Sequence, residues 1–555
     1  MAGGILLLST GGRPGELRVA DAYAKAFARE DAAALYPMLS DDAKARIPFA
    51  RFAALHRAAL ATATVTRILT GSPHRVDDRH VDVPVTVRTR VFGTIRATLA
   101  LAFTGDGDTP GVDWRRNLVF PGIPAGATLS RSVELPPRGT LLTRDGQVLA
   151  KGDARTPDPA VADIAVETVG QLGPIPADRL AELTALGVPA DAKVGMSGLE
   201  RALDTKLIGR PGGRLTAGAH LLASRPPRPP KAVRTTIAPS VERAAVAGLA
   251  GRLGGVVALD PRSGELLAFA GVAFSGLQPP GSTFKMVTVT GALQDGIVKE
   301  SDTFPVETAA TLEGVQLQNA NGESCGGSLA NSFAESCNSV FAPLGAKLGA
   351  EKLVATAERF GFNHPPNIAG AATSTLPAPD AIGDDLAVGS TAIGQGEVLA
   401  TPLQMATVAA TIGLGGRKPH LTVSIDERTD NTKLKPVVDP SAARTTGRLM
   451  LDVVRYGTGA AAAIPGVQVA GKTGTAELQS TQRCTPDPAN PESCPDTSDA
   501  TDTDAWFAAF APGGTTKRGV RTPRIAVGVL LVRAGAGGDV AAPLARGVIL
   551  AGLKK

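Results

Sequence analysis

The feature that most limits what this chain can become is the stretch Pro279-Pro280-Gly281-Ser282-Thr283-Phe284-Lys285-Met286-Val287. Pro and Gly interrupt whatever precedes it, and Phe284, Met286, Val287, Val289 and Leu293 then read as a buried helix. Positions i and i+3 of a helix share one face, so the Ser282 hydroxyl and the Lys285 amine can meet there. The first turn also aims free backbone N–H groups and the positive end of the helix dipole at any anion forming near Ser282. A lysine buried at such a place sheds its proton and becomes a base. Alone, the Ser-x-x-Lys spacing is weak, because chance supplies roughly one or two in a chain this long and an ordinary helix start would carry it equally well.

Two further fragments change that weight. Ser336-Cys337-Asn338 lies downstream, and Lys472-Thr473-Gly474-Thr475 follows the strand-like Val467-Gln468-Val469-Ala470-Gly471. In this order and spacing the three fragments resemble the active-site motifs of serine β-lactamases and penicillin-binding proteins.

At 555 residues the chain exceeds one ordinary core, so two to four domains are expected. Its net charge of +5 comes from basic and acidic residues that nearly balance. No Lys/Arg run with interleaved aromatics appears, which argues against nucleic acid as a partner. The four cysteines form two close pairs, Cys325 with Cys337 and Cys484 with Cys494. Neither pair has the spacing or histidine company of a zinc site, and disulfides in an oxidising compartment fit better. For Cys337 a small buried thiol is the alternative. Ile5-Leu6-Leu7-Leu8 is far shorter than the roughly twenty apolar residues of a membrane helix and follows no basic region. Residues 1–15 therefore read as the remnant of an anchor or a linker.

From Glu16 onward Val19, Tyr23 and Phe27 recur at helical spacing. Short helices are expected from about Asp31 and after Ser40, and Phe52, Leu55 and Leu60 line a face after Pro48. Alternating strands follow, Val81 to Val87 and Ile95 to Phe103, joined by a Phe92-Gly93 turn. Helices followed by long antiparallel strands make an α+β cone. Through the Trp114…Leu118-Val119-Phe120 ending, this region resembles the nuclear-transport-factor-two-like domain at the front of some penicillin-binding proteins. A hairpin turning on Asp145-Gly146 resembles the opening of the non-catalytic dimerisation or pedestal domain of class B penicillin-binding proteins, and Gly195-Met196-Ser197-Gly198-Leu199-Glu200 resembles its second signature. Arg225-Pro226-Pro227-Arg228-Pro229-Pro230 is stiff and polyproline-like and marks a boundary. Beyond it, Val256 to Asp260 and Glu265 to Phe269 read as a hairpin, and the segments Ala505 to Pro512 and Arg524 to Val532 as later strands. Gly394-Gln395-Gly396-Glu397 and Arg455-Tyr456-Gly457-Thr458-Gly459 are further landmarks of the same family. The expected fold is thus multidomain α+β. It comprises an α+β cone over 16–125, a mostly β pedestal over 126–234, and an α/β transpeptidase domain over 235–555 with helices around an antiparallel sheet.

The resemblance implies a monofunctional, class B peptidoglycan D,D-transpeptidase without metal or organic cofactor, since no glycosyltransferase domain is present. Ser282 would attack the peptide carbonyl, Lys285 would take its proton, Ser336 would relay a proton to the leaving nitrogen, and Asn338 would hold the substrate amide while contacting Lys285. The ammonium of Lys472 would help keep Lys285 neutral. Lys472, Thr473 and Thr475 would bind the terminal carboxylate of a D-alanyl-D-alanine stem peptide or of a β-lactam. Gly474 would leave the strand edge bare for it, and the N–H groups of Ser282 and Thr475 would form the oxyanion hole. Lipid-linked precursor and a membrane glycosyltransferase are the implied partners, and the outer face of the cell membrane the implied location. The alternatives are a non-enzymatic β-lactam-sensing receptor and a hydrolase, either a D,D-carboxypeptidase or a β-lactamase. A class A β-lactamase would need a deacylating Glu-x-x-x-Asn loop between the second and third motifs, and the only such spelling, Glu427…Asn431, sits in a polar stretch that reads as a turn. Cys484 and Cys494 are expected to close a proline-rich loop that either shapes one wall of the site or merely tidies an exposed segment. A Cys325–Cys337 bridge would brace the approach to Ser336.

Overall fold

The computed structural model describes residues 14–105, 109–477, 503–516 and 519–554. The chain divides into two compact units. One comprises Met1–Gly139, Gly173–Val194 and Thr205–Lys231, and the other Thr140–Leu172, Gly195–Asp204 and Ala232–Lys555. Residues 126–234 contribute to both.

In the first unit, helices α1 (Gly15–Ala28) and α2 (Phe49–Thr62) lie against an antiparallel sheet of β1 (Val65–Thr70), β2 (His80–Thr89), β3 (Thr94–Thr104) and β4 (Gly111–Val112), in that spatial order. The alternation seen in the sequence is the alternation of burial. Val81, Val83, Val85 and Val87 point into the core with Tyr23, Phe27 and Phe52, while His80 and Pro84 face outward. Each such valine contributes about 1.5–3 kcal/mol relative to an exposed one. Further along, β5 (Leu129–Glu134), β6 (Gly212–Ala217) and β7 (His220–Arg225) form a second small sheet in the order β7-β6-β5.

In the second unit, the Asp145-Gly146 turn is closed by a hydrogen bond from Gly146 N to Thr143 O. Glu200 is wholly buried and accepts from Arg155 Nε at 2.6 Å, so the Gly195–Glu200 segment is held by a buried charge pair. The main sheet combines β8 (Gly254–Leu259), β9 (Leu266–Gly271), β10 (Ala470–Glu477), β11 (Thr503–Ala511) and β12 (Ile525–Leu531). Its order is β9-β8-β12-β11-β10, antiparallel throughout. Strands β8, β11 and β12 are buried almost along their whole length, which is why they read as continuous apolar runs: both faces are covered. On one face lie α3 (Pro239–Leu249) and α9 (Ala542–Leu553), with Val241, Ala245, Val548 and Ile549 packed over Val256, Ala258, Phe507 and Val527. Over the other face lies α7 (Pro402–Gly413), with Pro402 and Ala406 against Gly528. The arrangement matches the expected antiparallel sheet between helices.

Four more helices set up the site: α4 (Lys285–Gln294), α5 (Leu329–Ala334), α6 (Asn338–Leu348) and α8 (Pro440–Arg455). Helix α4 is buried all round from Lys285 to Ala292, so its first residue carries an amine into an interior without a polar face. The chain between β10 and β11, including Cys484 and Cys494, lies outside the described residues. Among those described, no helix is long and apolar enough to cross a membrane.

Candidate active site

The Ser282 segment starts its helix differently from the expected α turn. Gly281–Phe284 is one turn of 3-10 helix that runs directly into α4, and the Thr283 hydroxyl secures it by donating to Pro280 O at 2.6 Å. Gly281 adopts φ 50°, its N–H donates to Gly394 O at 3.0 Å, and a Cβ there would stand 2.8 Å from Thr475 O. From the other side, a Cβ on Gly474 would stand 2.7 Å from Pro280 O. Two glycines therefore let the Ser282 turn and strand β10 touch backbone to backbone. Ser282 itself is partly exposed beside that contact.

Lys285 is fully buried. Its amine donates to Ser336 O at 2.7 Å and to Asn338 Oδ1 at 2.6 Å, lies 3.3 Å from Ser336 Oγ, and sits 5.6 Å from the centre of the Phe341 ring. Asn338 in turn donates from Nδ2 to Gln318 O at 2.7 Å, which leaves its second amide hydrogen for a ligand. Lys472, equally buried, donates to Ser336 Oγ at 2.8 Å and to its neighbour's carbonyl, Thr473 O, at 3.2 Å, with Phe333 at 5.5 Å.

Burial pushes the Lys285 amine well below the ordinary lysine range, and the charge of Lys472 adds to the effect. Burial also brings Lys472 down to about 7, while the Glu335 carboxylate pulls it the other way. Burial therefore favours the neutral form at both amines, and more strongly at Lys285, where the charge of Lys472 adds to it, than at Lys472, where Glu335 opposes it.

Ser336 is held under strain. Its φ is 65°, a left-handed conformation that costs a non-glycine residue about 1–3 kcal/mol and persists only where the surroundings impose it. Both lysines bind it, and the adjacent Cys337 is bonded to Cys325 with their Cα atoms 5.4 Å apart. Thr475 is partly exposed and its Oγ1 accepts from Gly537 N at 3.4 Å, whereas Thr473 is buried with its Oγ1 2.6 Å from that of Thr458. Asn431 is used elsewhere: it is buried, donates to Pro261 O and accepts from His420 N, and thereby pins the turn between β8 and β9.

The structure thus brings the three sequence fragments around one partly exposed hydroxyl and two buried amines. Gln318 and Thr458 join them. Gln318 carried no signal in the sequence, and Thr458 was visible only as part of a landmark.

Residues 254–550 match the family described as penicillin binding protein transpeptidase domain. Over 424 residues the chain is 34% identical to the peptidoglycan D,D-transpeptidase PbpA of Mycolicibacterium smegmatis, which covers 65% of this chain and 80% of that protein. It is 35% identical over 305 residues to the protein of the same description from Mycobacterium tuberculosis (strain CDC 1551 / Oshkosh), covering 51% of this chain and 56% of that one. Among solved structures, penicillin-binding protein A from M. tuberculosis in its penicillin G acyl-enzyme complex aligns with a TM-score of 0.55 at 29% identity, over 75% of this chain and 99% of that chain.

Proposed function

The chain belongs to the penicillin-binding protein transpeptidase family, and we infer that it is a class B, serine-type peptidoglycan D,D-transpeptidase that β-lactams acylate. The observation that carries this reading is the setting of the Lys285 amine. A neutral amine has two N–H donors and one lone pair. Ser336 O and Asn338 Oδ1 can only accept, so they use both donors and leave the lone pair as a base.

In this reading the Ser282 oxygen attacks the carbonyl of the penultimate D-alanine as its proton passes to Lys285. The N–H groups of Ser282 and Thr475 receive the charge that develops on the carbonyl oxygen. Ser336, whose hydroxyl accepts from Lys472 at 2.8 Å and lies 3.3 Å from the Lys285 amine, carries a proton to the departing D-alanine nitrogen as the C–N bond breaks. That leaves an ester on Ser282, which the amine of a second stem peptide attacks in the reverse sense. In a β-lactam the broken C–N bond belongs to the ring, and the leaving group stays attached. Lys472, Thr473 and Thr475 hold the substrate carboxylate, and the second amide hydrogen of Asn338 holds the substrate amide.

The same reading places the catalytic part from residue 235, a pedestal over 126–234 and a front domain over 16–125 serving as a spacer. It places the protein at the outer face of the cell membrane, working on lipid-linked precursor beside a glycosyltransferase. A fluorescent penicillin should label the chain, and Ser282→Ala should abolish labelling. Cross-linked dimers formed from purified lipid-linked precursor would establish the transferase. Stable labelling without any cross-linked product would instead leave a receptor.

A further inference from the structure

Asn338 opens α6, and the residue before it, Cys337, is bonded to Cys325, so its side chain caps none of the N–H groups that the first helical turn leaves without an intrahelical partner. The cap comes from farther up the chain. Asn319 is 6% exposed, and its Oδ1 accepts from Ser339 N at 2.9 Å, across a separation of 20 residues. Its Nδ2 faces the other way, donating to Glu307 O at 2.8 Å and to Glu323 O at 2.9 Å, with Ser339 Oγ at 3.2 Å. Carbonyls only accept and a backbone N–H only donates, so these partners fix which way round the Asn319 amide sits. The backbone N–H of Asn319 donates to Thr308 O at 2.8 Å. One residue thus gathers two short strand pairs, Thr303–Glu307 with Cys325–Ser328 and Ala309–Leu312 with Val315–Gln318, and fastens them to the start of α6.

What this fastening controls is the pair of residues next to it. Gln318 precedes Asn319, Asn338 precedes Ser339, and Gln318 O accepts from Asn338 Nδ2 at 2.7 Å. That bond decides the polarity of the Asn338 amide. A neutral amine can face either end of an amide, donating to the oxygen or accepting from the nitrogen. With Nδ2 held by Gln318 O, Oδ1 must face Lys285, 2.6 Å away. Turned over, Asn338 would direct an N–H at the lone pair of Lys285 and remove the base. We propose that Asn319 is a positioning residue for acylation: by capping α6 and holding Gln318 O against Asn338, it keeps the Asn338 oxygen on Lys285 and leaves the lone pair of that amine for the Ser282 proton. Asn319 acts through Asn338 and not on the substrate. The inference rests on the transpeptidase reading and adds to it the residue that orients the partner of its base.

The test uses the full chain with Asn319→Ala, with Asn338→Ala, and with both changes together. The second-order rate of acylation by a chromogenic cephalosporin is measured for each, alongside thermal unfolding. Asn319→Ala should lower the unfolding temperature, since a helix cap is lost, and should slow acylation about tenfold, the effect of leaving about one Asn338 amide in ten the right way round. In the Asn338→Ala protein the same change should slow acylation by less than about twofold, because the amide that it orients is already gone. A general loosening of the fold would not distinguish the two backgrounds. Equal losses in both would therefore overturn the proposal, as would a lower unfolding temperature with acylation at the parental rate. If Asn319→Ala fails to fold, Asn319→Ser, whose side chain is too short to reach Ser339 N and both carbonyls at once, goes through the same comparison and decides the matter by the same ratio. An unsubstituted chain that no β-lactam acylates would instead sink the transpeptidase reading.

Discussion

Lys472 donates to the Ser336 hydroxyl across 2.8 Å, and through that single hydroxyl its charge reaches Lys285, 3.3 Å further on. The site needs the two amines in opposite states: Lys285 neutral to take the Ser282 proton, Lys472 charged to hold a carboxylate. Both are pulled below the ordinary lysine value by burial, Lys285 further, because the charge of Lys472 adds to burial there while Glu335 opposes it at Lys472. The acylation rate should therefore rise with pH as Lys285 loses its proton and fall above about 7 as Lys472 loses its own. Lys472→Met removes the neighbouring charge, makes Lys285 easier to protonate, and should shift the rising limb to higher pH. The pH profile of acylation by a chromogenic β-lactam checks this, and a limb that stays put or moves down would contradict the coupling.

Asn338→Asp tests the same amine from its other side. A carboxylate 2.6 Å from Lys285 would favour the ammonium and cancel the base. It would also lose the donor that now binds Gln318 O. Acylation at neutral pH should drop about a hundredfold or more, the usual contribution of a general base, and recover in part as the pH is raised. Rate measurements across alkaline pH check both halves of the expectation.

The disulfide between Cys325 and Cys337 closes a loop with a sequence separation of 12, worth about 3 kcal/mol by chain entropy. It also ends one residue after the strained Ser336. Replacing both cysteines by Ser should lower the unfolding temperature. It should also slow acylation about tenfold, because relaxing roughly 1.4 kcal/mol of imposed conformation is enough to depopulate the productive state by that factor. Lower stability with an unchanged acylation rate would reduce the bridge to a purely structural part.

The parts of the site that could be read from the chain alone are those fixed by local spacing. Ser282 and Lys285 stand within one turn, and Lys472 to Thr475 lie along one strand, so periodicity places them. Strands β8, β11 and β12 were legible for a similar reason: burial on both faces leaves an unbroken apolar run. What stayed hidden depends on distant segments meeting. Gln318 comes from a short hairpin strand twenty residues before Asn338, and nothing in a glutamine announces that its carbonyl will hold an amide. Thr458 meets Ala334 and Thr473, 124 and 15 residues away along the chain. The left-handed Ser336 follows from tertiary restraint, since serine has no local preference for that conformation.

Gly474 gives the sharpest test of the contact between strand and nucleophile turn. A Cβ at this position would meet Pro280 O at 2.7 Å and Thr283 Cγ2 at 3.0 Å. Backbone on one side and a buried side chain on the other leave the added methyl nowhere to go, so Gly474→Ala must push the Ser282 turn away from β10. Displacing a reacting group by an ångström costs on the order of a hundredfold in rate. Both N–H groups assigned to the oxyanion ride on the two segments being separated, so the loss should fall on the acylation step itself. We expect Gly474→Ala to bind β-lactams with near-parental initial affinity and to acylate about a hundredfold more slowly. Stopped-flow measurement of the two stages checks it: a variant that acylates at the parental rate would mean that the turn and the strand are not held in register by this contact.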